Sequence, residues 1–169
     1  GDMMLSSLLG LGVNYDKFIE VMSTLSISDE FEISLSQASK GAIGGNKVDV
    51  ILKEDSSFVH RNLSDIINII DNSEISSRAK YMARKIFTVL AQSEATVHLA
   101  KVEDVHFHEV GAVDSIVDII GTAVLIDMLD IETIYCSEIP LGSGFTWSQH
   151  GKIPLPAPAT LNLLEDMKV

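Results

Sequence analysis

The chain has 169 residues, 46% of them hydrophobic, and a mean hydropathy of +0.26, which is long and apolar enough for a real core and excludes a disordered segment. With 24 acidic against 12 basic side chains the net charge is −12, so phosphate backbones and anionic lipid are repelled, while divalent cations or basic surfaces are favoured. Cys136 is the single cysteine, which excludes an internal disulfide or a thiolate metal cluster within one chain and suits a cytoplasmic setting.

A helical stripe of Met3, Met4, Leu8, Leu9 and Leu11 covers residues 2–11 and stops at Gly12. A second helix starts at Asn14 or Tyr15 and puts Phe18, Ile19, Met22 and Leu25 on one face. Phe31, Ile33 and Leu35 alternate with polar residues, as do Val48, Val50 and Leu52. The turn-forming residues Gly41, Gly44, Gly45 and Asn46 lie between them, predicting an antiparallel hairpin with a long connection. Helices follow over 63–71 and over about 76–96, the latter capped by Ser73 or Ser76 with Met82, Ile86, Val89 and Leu90 inward. Residues 98–111 break the periodicity. The stretch 112–130 is apolar on most sides, as a central helix is; Asp118 and Asp127 interrupt it, so it does not read as a membrane span. Residues 131–139 have the β-branched character of a strand, 142–144 read as a flexible loop, and 154–158 as an extended lead-in to a closing helix that starts at Pro158. The resulting expectation is an α+β fold, about six helices around a small mixed or antiparallel sheet, as one domain over 1–169. Both ends read as cut, because the chain opens directly into one helix and stops in or just after another.

The chemistry is concentrated in His106-Phe107-His108-Glu109 and the helix that follows. In extended backbone, residues two apart face the same side, so His106 and His108 can converge on one ion with Glu109 beside them. Asp114 and Asp118 are four apart, on one face of helix 112–130. A carboxylate amid so much apolar surface is costly unless a metal, a histidine or an arginine pairs with it. Imidazole and carboxylate without thiolate suit nickel, zinc, iron or manganese. The bland alternatives are definite: Asp114 sits where the helix dipole favours any acid, and Asp118 could pair with Arg61, Arg78, Arg84 or a histidine. His60, Arg61 and His98 read as structural unless the fold brings them beside His106. His150 precedes the closing helix, where an anion could bind but an ordinary turn is the simpler account. Asp2 is an acid at a helix start.

Taken together, 1–5, 41–47, 60–65, 105–118 and 151–161 (the last with its Pro-Leu-Pro-Ala-Pro-Ala-Thr core) resemble the LarC family of nickel-pincer cofactor biosynthesis proteins. The resemblance implies insertion of Ni²⁺ into a pyridinium bisthiocarboxylate mononucleotide, with formation of carbon–nickel and nickel–sulfur bonds. It also implies a need for CTP with Mg²⁺ or Mn²⁺, held by a C-terminal domain outside this chain. A short strand ahead of Gly1 is likewise expected from the family and lies outside it. Carried over by motif, His106, His108, Glu109, Asp114 and Asp118 become the metal-handling candidates, and Asp2 and His150 the cofactor-binding ones. No nucleic acid or membrane partner is expected, and a homo-oligomer is a candidate assembly. Two other functions compete on the same residues: a metal-dependent hydrolase or phosphotransfer domain, and a non-catalytic assembly domain.

Overall fold

The computed structural model describes residues 1–53, 61–107, 111–148 and 151–165, with the backbone alone at 106 and 148. Helix α1 (Asp2–Leu9) buries Leu5, Leu8 and Leu9, three and four residues apart as a helix face requires. Helix α2 (Tyr15–Met22) is capped by Asn14, whose side chain accepts from the Lys17 amide, and it buries Phe18 and Met22. Strands β1 (Phe31–Lys40) and β2 (Ile43–Leu52) pair antiparallel, with Phe31 opposite Leu52 and Lys40 opposite Ile43. The connection is therefore Gly41 and Ala42 alone, shorter than the sequence implied. Gly44, Gly45 and Asn46 belong to β2, and Gly41 takes φ +63, the position where a two-residue hairpin loop favours glycine.

Strand β3 (Arg61–Asn62) leads into α3 (Leu63–Asn72), whose start is a full capping box: Asn62 accepts from the Asp65 amide and Asp65 accepts from the Asn62 amide. Helix α4 (Ser77–His98) is capped by Ser76, as expected. Its buried seam, however, is Ala79, Ala83, Phe87, Ala91 and Ala95. Met82, Ile86 and Leu90 flank the seam half-buried, and Val89 is exposed. Alanines at intervals of four let another helix approach closely, an advantage that a hydrophobicity pattern undervalues. Strand β4 (His106–Phe107) pairs antiparallel with β3. The helix that packs against α4 is α5 (Val113–Met128), buried at Val113, Ile116, Val117, Ile120, Gly121, Ala123, Val124, Leu125 and Ile126 and so central as predicted. Gly121 is where α1 and α2 press in: a Cβ there would stand 3.0 Å from Leu5 Cδ2 and 3.3 Å from Phe18 Cζ.

After α5 the expected strand over 131–139 does not form among the described residues; 131–143 runs without regular pairing. β-branched residues favour extended backbone, but a strand also needs a neighbour to bond to. Instead, β5 (Phe145–Ser148) and β6 (Gly151–Pro154) make an antiparallel pair that the sequence had not revealed. Helix α6 (Pro158–Leu163) begins on its proline and is tied to α4 by Ser93 Oγ, which donates to the Ala159 carbonyl at 2.7 Å. The described residues thus form an α+β fold of six helices and three two-stranded antiparallel ladders. No helix among them is long and apolar enough to cross a membrane.

Candidate functional site

The histidine segment is anchored from below. Asn62 stands opposite His106 and Arg61 opposite Phe107 in the β3–β4 ladder, so the fold does bring Arg61 beside the His106 segment, the condition under which it gains interest beyond a structural role. Arg61 is buried, and its Nη2 donates to both Glu30 carboxylate oxygens at 2.7 Å. Phe107 is buried and meets Phe87 edge-on, with ring centroids 6.4 Å apart at 62°. Gly111 closes the segment where only glycine fits, because a Cβ would lie 2.7 Å from the Phe107 carbonyl oxygen and 2.8 Å from Phe107 Cβ. His108 and Glu109 lie outside the described residues, as do His60, His150 and the side chain of His106. The expected convergence of the two imidazoles falls on these positions.

The acidic half of the site is described. Asp118, on α5, keeps 17% of its side-chain exposure and points into a cleft lined by Gly1, Met4, Ile86, Leu90, Ser115, Ile119 and Thr122. Its Oδ2 lies 3.4 Å from the Gly1 nitrogen, while its buried Oδ1 has no hydrogen-bond partner among the described residues. None of the three arginines weighed as structural partners reaches it. Arg61 holds Glu30, Arg84 holds Asp71 at 2.5 Å, and Arg78 faces Asp127 and Asp130 and bonds the Ile131 carbonyl. Burial pushes the Asp118 carboxyl above its ordinary range. The nearby carboxylates of Asp2 and Asp114 add to that shift. Three of the sequence candidates from two helices therefore share one electrostatic neighbourhood. Position 1 must be glycine for this approach, since a Cβ there would fall 1.6 Å from the Asp118 carboxylate.

Asp114 itself is exposed in the first turn of α5, where its Oδ1 accepts from the Ser115 amide at 2.7 Å, an arrangement that the helix start explains. Among the described residues no three His, Cys, Asp or Glu side chains are grouped so as to hold a metal ion. His98 lies 3.3 Å from Glu94 one turn earlier, and Cys136 is exposed. Sequence reasoning missed the buried Arg61–Glu30 pair and the Ile86 and Leu90 wall of the Asp118 cleft. The spacing of Ile86 and Leu90 was a usable signal, assigned to the wrong helix face.

An unpaired carboxylate oxygen in an apolar cleft can accept a hydrogen bond or hold a cation, and repulsion from two neighbouring acids favours a cation. The chain matches the family described as nickel insertion protein over residues 1–169. It is 42% identical over its full length to the pyridinium-3,5-bisthiocarboxylic acid mononucleotide nickel insertion protein of Acetivibrio thermocellus, covering 43% of that protein. It is 40% identical over its full length to the protein of the same description from Staphylococcus epidermidis, covering 42% of it. No solved structure matches it. The chain spans less than half the length of these relatives, and it belongs to the nickel insertion protein family.

Proposed function

We propose that this chain is one domain, the N-terminal part, of a cytoplasmic protein that inserts Ni²⁺ into pyridinium-3,5-bisthiocarboxylic acid mononucleotide to complete a nickel-pincer nucleotide. The observation that carries the reading is the match of the whole chain to proteins described as inserting nickel into that compound. Nickel is here a substrate in transit. His106, His108 and Glu109 are its proposed donors, with Asp118 and Asp114 supplying nearby negative charge and Asp2 and His150 contacting the nucleotide. A nitrogen and oxygen donor set suits an ion that must be passed on. Such borderline and hard ligands hold Ni²⁺ without the grip of thiolate, so the thiocarboxylate sulfurs of the acceptor can draw the ion away. CTP with Mg²⁺ or Mn²⁺ is assigned to the part of the full-length protein outside this chain.

Calorimetric titration of Ni²⁺ into the wild-type protein and into His106→Ala/His108→Ala tests the donor assignment. Stoichiometric binding should weaken at least about tenfold in the double variant, and below about pH 6 in the wild type, because imidazole binds metal only when neutral. Equal affinity in both proteins would remove the two histidines from the reading.

A further inference from the structure

The stretch after α5 is a strand in composition and an orphan in bonding. Residues 132–139 read Glu-Thr-Ile-Tyr-Cys-Ser-Glu-Ile, and among the described residues no backbone amide or carbonyl of 132–143 bonds another backbone group. Ile134 is 68% exposed and Tyr135 92% exposed. In extended backbone these two point to opposite faces, so apolar side chains are bare on both, the pattern of a strand covered on both sides rather than of a surface loop. The bare surface continues into β5, where Phe145 and Trp147 stand two apart and are mostly exposed. A two-stranded ribbon such as β5–β6 has little stability by itself. Pro140 ends the stretch by lacking an amide donor.

We infer that residues 132–139 form a β-strand in the full-length protein, paired with a strand from the part of that protein outside this chain. More than half the length of the related proteins lies beyond the matched stretch, so ample chain exists to supply the partner, and a tethered strand acts at millimolar effective concentration. A second copy is a poorer occupant. Antiparallel self-pairing centred on Tyr135 would set Glu132 of one copy directly opposite Glu138 of the other, a destabilising like-charge pair, between molecules of this composition that each carry −12. Nickel chemistry plays no part in this pairing.

Hydrogen exchange followed by mass spectrometry on the metal-free full-length protein tests it. Amides of 132–139 should exchange on the order of a hundredfold or more slower than an unpaired peptide of the same sequence, and dilution should not change this. Exchange at the unpaired rate would overturn the inference, and so would protection lost on dilution, which would assign the strand to a second copy. In the full-length Ile134→Pro variant the protection across the segment should collapse while α4 and α5 amides stay protected. Undiminished protection of the segment would count against pairing through its backbone.

Discussion

Asp118 shows what a half-buried carboxylate costs the fold. Its raised titration point means that the folded chain holds a proton more tightly than the unfolded one, between the ordinary value of 3.8 and the raised one. Stability therefore falls as pH rises through that window and stays lower above it. Asp118→Asn removes the cost, because burial is the largest influence on this carboxyl. Urea denaturation should show the variant more stable at pH 7, with the advantage vanishing below the ordinary carboxylate value. Gly111 has the opposite character. Gly111→Ala pushes a methyl group into the Phe107 backbone, and thermal unfolding should report a loss of about 2 kcal/mol. The aspartates were legible as a helix-face pair, and glycine before the helix as a turn. The contacts that give each its meaning, Gly1 over Asp118 and Phe107 under Gly111, join residues distant in sequence or bent back on themselves.

At the scale of elements, local capping chemistry marks where three of the six helices start. Asn14, Asn62 and Ser76 all accept from amides in the first turn, and the boundaries derived from sequence lie close to the observed ones. Asn62→Ala should lower the unfolding free energy by about 1 kcal/mol and speed exchange of the first α3 amides, since it dissolves a reciprocal pair. Because Asn62 also stands opposite His106 in the β3–β4 ladder, the same variant should weaken Ni²⁺ binding in titrations if the histidine segment needs that anchor. Sheet elements were harder to read. The β1–β2 pairing was visible from alternation, yet its loop length was not, because Gly44 and Gly45 serve a strand as readily as a turn when solvent lies on both faces. The segment 131–139 failed for a different reason: extended propensity is local, whereas a partner strand is not.

For the molecule as a whole, charge and core pull in opposite directions. A net charge of −12 on 169 residues disfavours compactness through self-repulsion, while the buried cluster around α4 and α5 holds the helices together. Raising ionic strength from about 10 mM to about 150 mM shortens the screening length from roughly 30 Å to roughly 8 Å. The melting temperature should then rise by about 2–4 °C, the shift that roughly 1 kcal/mol produces at this size. A fall would mean that the surface pairs Lys47–Asp49 and Arg84–Asp71 outweigh the general repulsion.

The amino-acid order alone determined the α+β class, the centrality of the 112–130 helix and where the helices start, because periodicity and capping act within a few residues of each other. Only the tertiary structure decided that α4 turns its alanines inward, that Arg61 is occupied by Glu30, and that Asp118 has a buried oxygen without a partner among the described residues. Those outcomes depend on which distant groups arrive together, and on water being excluded when they do.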